Sequence, residues 1–144
     1  MEVERTFTVD RPIEEVFDYL ADFEHTEEWD PGTLETTRVS GDGGVGTTYR
    51  NRSRFMKREV ELEYETIAHD RPTHFVCRGR NGSTTATDHL TFTEDGARTI
   101  IHYRAVFDFP FPLRVLAPLL LGRSVEKLAD ETIASITAVL QPIS

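Results

Sequence analysis

Cysteine is almost missing from this chain. Cys77 stands alone in 144 residues, so no internal disulfide can form, and a reducing cytoplasm is the expected compartment. Basic residues are also in short supply. Sixteen Lys and Arg stand against 25 Asp and Glu, for a formal net charge of −9. That balance disfavours nucleic acid, whose phosphates need a basic surface. The acidity itself reads as a solubility device and does not identify a substrate. There is no long hydrophobic run. The most apolar stretch, Val115 to Leu121, contains Pro118 and falls far short of the ~20 residues that cross a bilayer. The opening M-E-V-E-R-T-F-T-V lacks the basic and then apolar pattern of a secretory signal. Gly41-Asp42-Gly43-Gly44 is followed by no lysine, so it is a turn and not a phosphate loop. His25, His69, His74, His89 and His102 are scattered without the close spacing of metal ligands. No Ser-His-Asp or Cys-His set is visible, and no cofactor is implied. Repeats and linkers are lacking too, which leaves a single domain over residues 1–144.

What is present is organised around the segment from Pro112 to Leu140. Val125, Leu128, Ala129, Thr132, Ile133, Ile136 and Leu140 recur at three- and four-residue spacing, one apolar stripe of a helix. Such a helix would run ~40 Å at ~1.5 Å per residue. Pro118 should kink it or mark off its first turn, and Gln141-Pro142 should end it. Upstream, Glu2 to Val9 alternates as a strand, with Arg5 oddly on the apolar side. Asp10 offers a helix N-cap, Pro12 suits a first turn, and Ile13, Val16, Phe17, Leu20 and Ala21 continue at helical spacing. A second short helix covers Glu24 to Trp29 and stops at Asp30-Pro31-Gly32.

The middle of the chain alternates strands and turns. After a weaker strand at Leu34 to Ser40, Arg50, Arg52 and Arg54 alternate on one strand, and Glu59, Glu61, Glu63 and Glu65 on the next. A reversal near Met56-Lys57 sets Arg54 opposite Glu59, Arg52 opposite Glu61 and Arg50 opposite Glu63 on a solvent face. Tyr49, Asn51, Ser53 and Phe55 then face Tyr64, Leu62 and Val60 inside. Asn81-Gly82 and Asp95-Gly96 are hairpin signals. The first is expected to pair Cys77 with Ala86 and Phe75 with Asp88. The second is expected to pair Leu90 with Ile101, Phe92 with Thr99 and Asp88 with Tyr103. Both put Phe75, Cys77, Asp88, Leu90, Tyr103 and Phe107 on one inner face, in an antiparallel meander.

The stretches R-P-I-E-E-V-F-D-Y-L-A-D-F-E-H-T-E-E-W (Arg11 to Trp29), G-D-G-G-V-G-T-T-Y (Gly41 to Tyr49) and D-H-L-T-F-T-E-D-G-A-R-T (Asp88 to Thr99), followed by the final helix, resemble the START-like superfamily, the polyketide cyclase/dehydrase and lipid-transport group. The resemblance covers essentially the whole chain. It implies an α+β helix-grip fold: a curved antiparallel sheet of about seven strands around a long C-terminal helix, with two short helices after the first strand. It also implies a cavity for a lipid, steroid, polyketide or other hydrophobic molecule, and in a minority of members cyclisation or dehydration. No catalytic signature of the family maps onto these positions.

The expected cavity is lined by Trp29, Tyr49, Phe55, Leu62, Tyr64 and Phe75. Cys77, Phe107 and, from the helix, Leu116 and Leu120 complete its apolar wall. Trp29 is either a wall or an anchor for the helix pair. Asn51 and Ser53 either orient a polar substituent or are water-bridged filler. Cys77 is inward and reads as an apolar packer. Asp88 is the sharpest residue, because a carboxylate on an inner sheet face is costly unless paired. Tyr103 is its expected neighbour, and Arg5 or Arg123 could reach it; either desolvation suits it to act as a general acid or base, or it sits at the open end of the sheet, wetted and inert. His89, next in sequence, points the other way. The first function this supports is binding of a hydrophobic small molecule. The second is a cyclase or dehydratase in which Asp88 and Tyr103 handle protons. A third makes Val115 to Leu121 a protein or membrane contact, with a homodimer left open.

Overall fold

Alternation and helical spacing resolve, in a computed structural model that describes residues 1–55 and 57–141, into one sheet and three α-helices. Strand β1 (Glu2–Val9) leads to α1 (Ile13–Ala21), a 3-10 turn at Phe23–His25 and α2 (Thr26–Trp29). Strands β2 (Thr33–Ser40), β3 (Thr48–Phe55), β4 (Arg58–Asp70), β5 (His74–Asn81), β6 (Thr84–Asp95) and β7 (Arg98–Asp108) follow, and α3 (Leu113–Leu140) closes the chain. The sheet order is β1-β7-β6-β5-β4-β3-β2, with every pairing antiparallel. Seven strands, a long C-terminal helix and short helices after the first strand make up the expected helix-grip architecture.

The β3–β4 register is the expected one: Arg54 faces Glu59, Arg52 faces Glu61, Arg50 faces Glu63 and Tyr49 faces Tyr64. The ion pair that forms is diagonal, with Arg52 Nη1 at 3.0 Å from Glu59 Oε1. Met56, half of the expected reversal, lies outside the described residues, as does Pro142 at the expected end of the last helix.

Both later hairpins differ from expectation by two residues. Cys77 pairs with Asp88 and Phe75 with Leu90. Leu90 pairs with Tyr103, Phe92 with Ile101 and Asp88 with Ala105. The reason is local. Asn81 pairs with Thr84 and Asp95 with Arg98, so the loops are Gly82-Ser83 and Gly96-Ala97. Each glycine takes the first loop position, where φ is +59° at Gly82 and +62° at Gly96, a conformation that costs glycine little. A slip of two residues preserves strand parity, so the inner face survives the correction.

Helix α1 also starts differently. Pro12 is the residue before its first turn, with no side-chain cap, and Asp10 points instead towards Arg98, 3.7 Å away. Helix α3 runs through Pro118 from Leu113 to Leu140. Val125, Ala129, Thr132, Ile136 and Leu140 of its expected stripe are buried. Arg5 explains itself here. It sits on the inner side of β1 because it reaches α3, bonding Glu126 and placing Nε 3.0 Å from Asp130 Oδ1. These groups are solvent-accessible, so the pairs contribute at most about 1 kcal/mol; they tie this part of α3 to β1. At the far end, Arg11 Nε donates to the Leu140 carbonyl at 2.6 Å.

Candidate functional site

The concave face of the sheet does not close on α3 as a solid core. Between them lies a cavity of about 310 Å³. Its floor is the inner parity of the sheet: Ser53 and Phe55 from β3, Leu62 and Tyr64 from β4, Ala86 and Asp88 from β6, Tyr103, Ala105 and Phe107 from β7. Its roof is Val125, Leu128, Ala129 and Thr132 of α3, and Asp30 and Gly32 enter from the end of α2. Most of this wall is apolar, and among its polar members Asp30, Tyr64 and Tyr103 lie close enough to Asp88 to influence one another.

The arrangement there is specific. Tyr103 donates its hydroxyl to Asp88 Oδ1 at 2.7 Å. The two residues are not cross-strand partners, since Asp88 faces Ala105 and Tyr103 faces Leu90; the long phenol reaches diagonally. Asp88 is only partly accessible, and burial is the dominant influence on it. Desolvation pushes its carboxyl up to about 7. The Tyr103 hydrogen bond opposes that rise, and the negative charge of Asp30 reinforces it. Asp30 is likewise held above the ordinary carboxylate range by burial, against the pull of two hydrogen bonds. Those bonds are Gly32 N to Oδ1 at 3.0 Å and Thr33 Oγ1 to Oδ2 at 3.1 Å. Burial also drives the Tyr64 and Tyr103 hydroxyls well above their usual value. Tyr64 lies against Gly79, its cross-strand partner, and its ring is 4.6 Å from that of Phe23, centroid to centroid.

Several expected lining residues stand elsewhere. Trp29 is 1% exposed, packs edge-on to Phe23 and does not border the cavity. Of its two expected roles it takes the anchor, with its indole N–H left without a partner among the described residues. Tyr49, Phe75 and Cys77 are all 0% exposed and form solid core behind the cavity. Burial holds the Cys77 thiol well above its ordinary value, which keeps it from acting as a thiolate. Asn51 points to β2, donating to Thr36 Oγ1 at 2.8 Å and accepting from Ser53 Oγ at 2.6 Å. Leu116 and Leu120 are 45% and 64% exposed and lie outside the cavity, because the helix meets the sheet one to three turns later. The run Val115 to Leu121 is therefore mostly surface: Leu119 is 85% exposed, while Ala117 is fully buried. Arg5 is engaged with Glu126 and Asp130, and neither it nor Arg123 is among the groups that influence Asp88. Ser53, Phe55, Leu62, Tyr64, Asp88, Tyr103 and Phe107 do meet around one space.

Two contributors escaped the sequence reading. Asp30 looked only like a helix stop. The signal that could have found it is the Asp-Pro-Gly-Thr string, in which an aspartate commonly bonds the backbone N–H two residues on, as it does here. Phe23 was passed over between two helices; it does not border the cavity, but its ring meets Trp29, Tyr49, Tyr64 and Phe75 and so backs Tyr64, which does.

The family model for polyketide cyclase / dehydrase and lipid transport matches residues 1–141. Among solved structures, TTHA0849 from Thermus thermophilus is 20% identical with a TM-score of 0.75, covering 97% of this chain and 94% of that one. The Zhui aromatase/cyclase of a Streptomyces species is 16% identical with a TM-score of 0.74, covering 97% of this chain and 93% of that one. The di-domain ARO/CYC BexL from the BE-7585A biosynthetic pathway is 14% identical with a TM-score of 0.73, covering 100% of this chain and 51% of that one. Likeness at these identities establishes a shared fold. No protein of curated function matches the sequence, and among the described residues no helix is long and apolar enough to cross a membrane.

Proposed function

Because the chain belongs to the polyketide cyclase/dehydrase and lipid-transport family, we propose that it encloses a hydrophobic small molecule between its sheet and α3. The observation that carries this reading is the cavity itself, an apolar space with a few convergent polar groups. Its volume of about 310 Å³ sits at the small end of the ~300–1,000 Å³ typical of ligand sites. That size favours a compact aromatic or short polyketide-like molecule over a two-chain lipid. Buried apolar ligand surface would supply ~25 cal/mol per Å², and Asp88, Tyr103 and Tyr64 would fix its orientation.

The test is saturable binding of a polarity-sensitive naphthalene fluorophore to wild type and to Ala86→Trp. Ala86 borders the cavity, and the indole would occupy it. The expected result is one-to-one binding to wild type, weakened at least about tenfold, or ~1.4 kcal/mol, in a variant that melts normally. No saturable binding, or binding indifferent to Ala86→Trp, would contradict the reading.

The Asp88–Tyr103 pair favours a second reading, a cyclase or dehydratase. A carboxyl titrating at about 7 can both give and take a proton near neutrality, which is what general acid–base catalysis needs. Under this reading Asp88 carries the proton and Tyr103 steadies its charged form. Asp88→Asn should then abolish turnover of a polyketide substrate while leaving fluorophore affinity in place; turnover that survives the change removes Asp88 from the chemistry.

A further inference from the structure

The cavity's polar end contains acids without a cation. Asp30 and Asp88 both border it, and so do Tyr64 and Tyr103. The one basic residue at its edge, Arg54, belongs to the exposed outward row of β3. Arg5, which does stand on the inner face, is committed to Glu126 and Asp130. Asp88 Oδ1 accepts from Tyr103, and its second oxygen has no partner among the described residues. Tyr64 is 7% exposed, and its hydroxyl also lacks a protein partner among the described residues while it lines the cavity. A charge in an apolar enclosure is costly unless it is paired. This chain supplies the carboxyls and the phenols but leaves the counter-ion to something else.

We propose that the guest of this cavity is a hydrophobic amine, its ammonium seated on the free oxygen of Asp88 and beside the Tyr64 hydroxyl, its hydrocarbon against Leu128, Ala105 and Phe107. The inference rests on the ligand-binding reading above and adds the charge of the ligand. A carboxylate of the same shape is rejected, because it would add a third acid to a site with no cation. A neutral alcohol is accepted more weakly, because its hydroxyl makes an ordinary hydrogen bond where an ammonium makes a charge-assisted one.

Three probes sharing one ring system separate these outcomes: 2-naphthylmethylamine, 2-naphthylmethanol and 2-naphthoic acid, titrated calorimetrically at pH 8 into wild type and Asp88→Asn. The expected order in wild type is amine, then alcohol, then acid, with the amine ahead of the alcohol by about tenfold or more. In Asp88→Asn the amine should lose its advantage over the alcohol. Acid binding as tightly as amine to wild type overturns the proposal, and the wild-type ranking decides this even without the variant. An amine preference that persists in a folded Asp88→Asn overturns it as well. If the alcohol binds and the amine has no advantage, only the charge inference falls. If none of the three binds, the ligand-binding reading falls and takes this one with it.

Discussion

Asp88→Asn is expected to stabilise the protein at pH 8 and to change its stability little at pH 3.5. The ordinary value of the carboxyl is 3.8, and in the folded chain it lies at about 7. Between those two values the folded state keeps a proton that the unfolded chain has released. The folded state therefore binds more protons, and stability falls as pH rises. The favourable contribution of the neutral carboxyl is complete below pH 3.8 and is gone once pH has passed 7. A gap of about three pH units corresponds to ~4 kcal/mol. Asp30, shifted in the same direction by burial, adds to the slope. Asparagine keeps the shape and can still accept from Tyr103, but it cannot ionise. The variant should melt on the order of 10 °C higher than wild type at pH 8, with the two curves converging towards pH 3.5. A variant that melts lower at pH 8 would mean that ionised Asp88 has a partner, and the account of the acid cluster would be wrong.

Gly79→Ala carries the second large effect, in the opposite direction. Glycine inside a strand usually marks a close approach, and here the approach is by an aromatic ring. A Cβ at Gly79 would lie 2.7 Å from both Cε1 and Cζ of Tyr64. Two influences compete. Losing glycine's freedom in the unfolded chain favours alanine by ~0.4–1 kcal/mol. The clash opposes it, and the atoms struck belong to a rigid ring backed by Phe23, not to the far end of a flexible chain. Overpacking of this kind costs ~1–3 kcal/mol, so the clash should win. The variant should melt several degrees lower, and the displaced phenol should intrude on the cavity and weaken probe binding. Adding Tyr64→Leu should restore part of the loss, a non-additivity expected only of residues in contact. Additive effects would show that the ring does not depend on Gly79.

The Gly79–Tyr64 contact also marks how far the sequence could be read. Parity was legible: the alternating arginines and glutamates of β3 and β4 identify the wet face, and everything opposite them turned inward. Parity survived even where both glycine hairpins were misplaced, because the error was two residues and not one. What parity cannot give is position along an element. Leu116 and Leu120 share the helix with Val125, Leu128 and Ala129, and only the second group roofs the cavity. The difference is where α3 meets the sheet, and it shows only in contacts distant in sequence: the burial of Val125, Ala129 and Ile136, Arg5 to Glu126 and Asp130, and Arg11 to the Leu140 carbonyl. Adjacent residues exchanged roles for a similar reason. Trp29, open between wall and anchor, is the anchor, whereas Asp30 seemed a stop signal and faces the cavity. The Asp88–Tyr103 bond was expected across the strands and forms on the diagonal, which long side chains tolerate and register arguments do not foresee.

The occupancy of the space beneath α3 can be located directly by NMR. With 2-naphthylmethanol at saturation, intermolecular NOEs from the ring protons should reach the methyl groups of Ala86, Ala105 and Leu128, which meet only inside the cavity. NOEs confined to the exposed Leu116, Leu119 and Leu120, or none at all, would contradict the account.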